Sequence, residues 1–146
     1  MGGPIQEMVD RLGLERHPGG GWFRAEPDAG PDGASALWLL EAGDFCAWHR
    51  LSADELWRYE EGGPVALTTS PNGHDAACVY LGPETAQNQI AEQRVEAGAW
   101  RTAESLGAWS LVRRSVLTGV PGGVPGGDPW AHLTMAPPDW RPTPRS

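Results

Sequence analysis

The stretch Gly43-Asp44-Phe45-Cys46-Ala47-Trp48-His49-Arg50-Leu51-Ser52-Ala53-Asp54-Glu55-Leu56-Trp57-Arg58-Tyr59 decides the reading of this chain. Two runs, 45–50 and 55–59, are rich in aromatic and apolar residues and flank a turn at 51–54. Side chains alternate across a strand, so Phe45, Ala47 and His49 share one face and Cys46, Trp48 and Arg50 the other. Likewise Glu55, Trp57 and Tyr59 oppose Leu56 and Arg58. If the two runs pair as a hairpin, His49, Glu55, Trp57 and Tyr59 point into one cavity. An imidazole, a carboxylate and a phenol beside an aromatic wall make an acid–base set. The plainer alternative is a His49 that caps a loop, a Glu55 paired with a nearby arginine, and aromatics that only fill the core.

Working outward, similar runs recur at 36–40, 65–69, 77–81, 93–95, 100–103 and 109–117. Between them stand turn signals such as Gly62-Gly63-Pro64, Pro71-Asn72-Gly73, Gly82-Pro83 and Ala97-Gly98. About eight short strands imply a closed antiparallel barrel or a double-sheet jelly roll, the two ways an all-β chain hides its edges, and the jelly roll is the expected one. Before the strands, Ile5, Met8, Val9 and Leu12 repeat at helical spacing and Gly13 follows, which predicts one short N-terminal helix.

The chain has 146 residues, 11 basic against 19 acidic, for a net charge of −8, and reads as one domain. Its 20 glycines and 14 prolines punctuate apolar runs and form no collagen-like repeat. Every basic residue is arginine. The absence of lysine excludes Schiff-base chemistry, pyridoxal-phosphate anchoring and the phosphate-loop lysine. The acidic balance argues against a nucleic-acid partner, since the nearest thing to a basic stripe is Arg113-Arg114. No apolar run approaches the ~18 residues of a spanning helix, and the start Met1-Gly2-Gly3-Pro4 lacks a signal-peptide plan. The expected location is the cytoplasm, with no membrane partner. Cys46 and Cys78 make neither a disulfide framework nor a zinc cluster and read as reduced thiols. Residues 1–117 form the expected domain. Residues 118–146 form a Gly/Pro-rich tail, opening on a doubled Gly-Val-Pro-Gly-Gly unit and partly docked through Trp130, Leu133 and Trp140.

Read from Gly43 through His49 and Glu55 to Gly62, the spacing resembles the first motif of the cupin superfamily, Gly-x5-His-x-His-x3-Glu-x6-Gly, with Leu51 at the second histidine. The second cupin motif falls on Gly98, with Arg101 where a histidine is usual. His17-Pro18-Gly19-Gly20-Gly21-Trp22-Phe23-Arg24 is similar to the His-Pro-Glu-Gly-Gly-Tyr-Phe-Arg signature of a small cupin family related in fold to the nucleotide-sugar 3,5-epimerases. Ser35-Ala36-Leu37-Trp38-Leu39-Leu40, Asp54-Glu55-Leu56-Trp57 and Ala97-Gly98-Ala99-Trp100 continue the likeness, which spans about Ile5 to Val116. It implies an all-β cupin double-stranded β-helix, usually a homodimer, with a pocket in the barrel mouth. Arg58, Arg101 and Glu96 depart from the family pattern and mark a rewritten pocket.

A catalytic divalent metal wants three protein ligands and an open position. Of His17, His49, His74 and His132, only His49 stands with Glu55 at cupin-ligand spacing, and an arginine at 101 would oppose a cation beside them. The expectation is therefore no metal and no cofactor. Arg101 becomes a clamp for a carboxylate, enolate or phosphate, with Arg24 as a second clamp or as a structural partner of Asp54 or Glu55. His49 is the candidate base or acid, Glu55 its tuning carboxylate and Tyr59 the source of the opposite proton. Trp57, Trp100 and Trp38 would floor the pocket. The expected function is a metal-independent epimerase, isomerase, cyclase or dehydratase acting on a small carbonyl-bearing or sugar-like molecule. The alternatives are a non-catalytic small-molecule-binding cupin and a metal-dependent cupin dioxygenase.

Overall fold

The computed structural model describes residues 3–26, 34–44, 46–83, 87–117, 130, 133–137 and 139–143. Phe45, the loop at 28–33, His132 and the glycine–proline repeat at 119–127 lie outside the described residues. In chain order the elements are α1 (Pro4–Leu12), β1 (Glu15–Arg16), β2 (Trp22–Glu26), β3 (Ser35–Glu41), β4 (His49–Arg50), β5 (Glu55–Gly62), β6 (Val65–Ser70), β7 (Ala77–Leu81), β8 (Gln89–Ile90), β9 (Glu92–Val95), β10 (Trp100–Ser105), β11 (Trp109–Val116) and β12 (Thr134–Met135).

Two six-stranded sheets result, ordered β1-β2-β3-β11-β5-β9 and β12-β4-β10-β6-β7-β8. Every pairing is antiparallel except β7 with β8. This is the jelly-roll plan of a cupin. Strand β3 shows how the layers form, because it is apolar on both faces and buried on both. Ala36, Trp38 and Leu40 join Trp57 and Val112 in the space between the sheets, where Val65, Leu67, Leu81 and Ala103 of the second sheet meet them. Leu37 and Leu39 face the other way and lie under Met8 and Val9 of α1. The helix starts on Pro4, which has no backbone N–H to leave unpaired, and stops at Gly13, whose φ of 67° is left-handed.

Two sequence expectations change here. The run at 45–50 is a strand only at His49–Arg50. Ahead of it the backbone is bonded elsewhere: Ala47 N donates to Gly19 O at 2.8 Å, and Trp48 O accepts from Ala136 N at 2.8 Å. Nor do β4 and β5 form a hairpin. Strand β4 pairs with β10, placing His49 beside Arg101, whereas β5 pairs along β11 and β9 in the other sheet. His49 and Glu55 therefore approach each other from opposite sheets.

One turn shows how tightly the barrel rim is packed. Gly62 has φ +91°, and a Cβ there would stand 2.6 Å from both the ring and the carbonyl of Trp109, whereas Gly43 (φ +75°) has open space around it. Gly62→Ala is expected to destabilise by about 2–5 kcal/mol through strain and overlap. Gly43→Ala should lose only about 1 kcal/mol through its φ. Urea denaturation of the two variants checks the ordering.

Candidate functional site

Glu55 opens β5 on its inward face and is fully buried. A bare carboxylate at such a place would be prohibitively unstable, so its partners define the site. Arg101 Nη1 donates to Oε1 at 2.9 Å, and Arg114 donates through Nε to Oε2 at 2.8 Å and through Nη2 to Oε1 at 3.0 Å. Two indoles complete the shell: Trp57 Nε1 donates to Oε1 at 2.7 Å and Trp130 Nε1 to Oε2 at 2.8 Å. The Arg114 guanidinium also lies over the Trp57 ring, 4.2 Å from its centroid, and over one further ring, Trp38, at 4.7 Å. Arg101 spends its other donors on the carbonyls of Ala99 and Glu96.

His49 completes the centre. Its Nδ1 lies 2.8 Å from Ala47 O and its Nε2 lies 2.8 Å from Arg114 Nη2. A carbonyl only accepts and a guanidinium only donates, so Nδ1 carries the proton and Nε2 is bare. Burial, helped by the Arg114 charge, lowers its pKa to about 3. Burial pushes the Glu55 pKa up, but Arg114, Arg101 and the hydrogen bonds outweigh it and hold the group at about 2. With His49 neutral, the centre carries two cations against one anion. Among the described residues no group accepts from Arg114 Nη1, and Trp38 Nε1 is buried without a partner. A cavity of about 10 Å³, the scale of one water, is bordered by Trp38, His49, His17 and Leu133.

The remaining sequence candidates lie elsewhere. The Tyr59 hydroxyl donates to Gly62 O at 2.6 Å, three residues along its own strand, so the phenol is spent on the turn and not on the His49 centre. Arg24 is exposed and donates to Leu12 O at 2.7 Å, closing the end of α1. Asp54 pairs with Arg94 instead. Trp100 packs outside the barrel against Trp140, 4.7 Å between centroids, and the Arg50 guanidinium lies 4.7 Å from its ring centroid. The structure thus joins His49, Glu55, Arg101, Trp57 and Trp38, leaves out Tyr59, Arg24 and Trp100, and adds Arg114 and Trp130. Arg114 was readable: in 109–117 it keeps phase with Val112 and Val116, so a charge occupies an inward position. The sequence marked Trp130 only as a docking residue of the tail, and nothing local shows it as a partner of Glu55.

The cupin motif implies a metal, and the donor set does not fit one. Among the described residues no group of three or more His, Cys, Asp or Glu side chains could hold an ion. The Arg114 guanidinium is bonded to both His49 Nε2 and Glu55, so a cation already bridges the two groups that would ligate the metal.

Family comparison now has a site to attach to. The family described as Cupin superfamily (DUF985) matches residues 6–122. The chain belongs to it. A hypothetical protein from Leishmania major is 20% identical with a TM-score of 0.70, covering 79% of this cupin and 81% of that chain. A protein from Shewanella oneidensis is 24% identical with a TM-score of 0.72, covering 93% and 85%. Oxalate decarboxylase of B. subtilis is 13% identical with a TM-score of 0.60, and the 83% of this cupin that aligns covers 29% of it. These likenesses show the fold. No curated protein matches the chain. Among the described residues, no helix is long and apolar enough to cross a membrane.

Removing the anion tests the centre. Glu55→Gln should destabilise by about 3–5 kcal/mol, since two guanidinium groups lose their counter-charge inside the barrel. Glu92→Gln, at the exposed Arg58 pair, should change stability by less than about 1 kcal/mol. Acid should act through two groups of one sign. Between about 6.5 and 3 for His49, and between about 4.5 and 2 for Glu55, the unfolded chain binds the proton and the folded one does not. Stability therefore falls as pH drops from 7 to 3, and His49→Gln should flatten the upper part of that slope in urea titrations.

Proposed function

We propose that this cupin binds a small organic anion, without a metal, at the end of its barrel. Arg114 supplies the binding group and Arg101 the supporting charge, and Trp38 and Trp57 form the walls. The observation that supports this most directly is the excess of one positive charge in a buried centre, together with an Arg114 Nη1 from which no described residue accepts. A carboxylate would neutralise the excess and satisfy that donor. Binding rather than turnover is favoured because the acid–base groups are poorly poised. His49 and Glu55 both hold pKa values far below neutrality, and Tyr59 is committed to a turn.

One observation favours a second reading. The fixed tautomer of His49 directs a bare Nε2 at Arg114, so a ligand that draws Arg114 away would release a base. That is the metal-independent isomerase, epimerase, cyclase or dehydratase chemistry that the sequence resemblance to a family related in fold to the nucleotide-sugar 3,5-epimerases would imply.

Titration calorimetry with benzoate and benzamide separates an anion site from an apolar one. Benzoate should bind about tenfold or more tightly than benzamide, keep its affinity in EDTA, and lose it in Arg114→Lys protein that remains folded by circular dichroism. Equal binding of the two probes, or loss in EDTA, would refute the metal-free anion site. For the second reading, phenylpyruvate should exchange its carbon-bound protons with D2O, and His49→Gln should slow the exchange by about 10²-fold while leaving binding intact.

A further inference from the structure

The donors and acceptors of the Glu55 centre do not balance. Glu55 takes five hydrogen bonds, from Trp57, Arg101, Arg114 and Trp130, and His49 Nε2 takes one from Arg114. Those side-chain acceptors are therefore used. Two donors are not. Among the described residues nothing accepts from Arg114 Nη1, and the indole N–H of Trp38, a residue only 3% exposed, has no partner. A buried N–H left unmet costs stability, so one that persists calls for an acceptor supplied from outside the chain.

The fold sets these two donors side by side. Strands β3 and β11 pair with Trp38 opposite Val112 and Ala36 opposite Arg114, so Trp38 and Arg114 are diagonal neighbours on one face of the ladder. The guanidinium lies 4.7 Å from the Trp38 ring centroid. One open donor is charged and the other is neutral. Trp38 also borders the small cavity beside His49.

We infer that Trp38 Nε1 is a second hydrogen-bond donor of the anion site and that the ligand is a 2-oxo carboxylate, whose carboxylate meets Arg114 Nη1 and whose adjacent carbonyl oxygen accepts from Trp38; this rests on the binding reading above. The chemistry of the open groups selects that class. The excess positive charge calls for the carboxylate, and the neutral N–H calls for an acceptor that brings no proton of its own. A 2-hydroxy acid would bring an O–H to a centre whose side-chain acceptors are taken, and a 2-amino acid would bring an ammonium beside two guanidinium groups. Trp38 thus determines specificity by reading the group next to the carboxylate.

The test compares benzoylformate, mandelate and benzoate, which share a ring and a carboxylate and differ in what stands between them: a carbonyl, a hydroxyl-bearing carbon, or nothing. In the wild type, titration calorimetry should show benzoylformate binding about tenfold more tightly than benzoate, and mandelate no more tightly than benzoate. Trp38→Phe keeps a ring against Arg114 and removes the N–H, so the ratio of the benzoylformate and benzoate affinities should fall to about one. General damage to the pocket weakens both probes and leaves that ratio alone. Should Trp38→Phe not fold, the wild-type indole N–H resonance of Trp38 carries the same reading: it should move downfield with benzoylformate and stay in place with benzoate. A ratio near one in the wild type, a ratio that survives Trp38→Phe, mandelate binding as tightly as benzoylformate, or a Trp38 resonance that ignores benzoylformate each overturn the inference, and benzoate binding then leaves the anion site standing. If the folded wild type binds neither benzoate nor benzoylformate, both readings fall.

Discussion

A single buried carboxylate holds this barrel together. Among the described residues, Glu55 is the only anion paired with the two buried guanidinium groups, which the apolar interior would otherwise not tolerate. Its partners come from β10, β11, its own strand and the C-terminal segment, so the charge ties both sheets and the tail to one point. Other features follow from that arrangement. Arg114 is drawn inward and sandwiched by Trp38 and Trp57, and its remaining donor meets the bare nitrogen of His49.

The two groups that the cupin motif would offer a metal are bridged here by a different kind of cation. A metal ion offers open coordination positions and bends the electronics of whatever binds. A guanidinium offers flat, directional donors on a fixed charge and stacks against rings. On the anion-binding proposal, recognition is by hydrogen bonding and charge, and on the second reading proton transfer at His49 would need Arg114 to release it.

Legibility differed from element to element for physical reasons. The helix and the strands at 65–69, 77–81 and 109–117 carry their patterns in consecutive residues, and the structure keeps them within one or two positions. The pairs β1 and β2 sit in a glycine-rich signature with no alternation to read, and β8 and β12 are two residues each. The run at 45–50 has the composition of a strand, but its backbone groups find partners at Gly19 and Ala136, so most of it leaves the ladder. The side chains of Arg24, Tyr59 and Trp100 have the chemistry of site residues, but each is held away from the Glu55 centre, by Leu12 O, Gly62 O and the Trp140 ring.

The amino-acid sequence by itself determined the all-β cupin fold and marked His49 and Glu55 by their motif spacing, because turn residues, alternation and spacing are properties of neighbouring positions. It also determined the absence of any lysine to share the work of the arginines. Only the tertiary structure decided what Glu55 would meet. Its partners Arg101, Arg114 and Trp130 lie 46, 59 and 75 residues away, and a charge that must be neutralised in a dry interior selects whichever donors the folded sheets bring within reach.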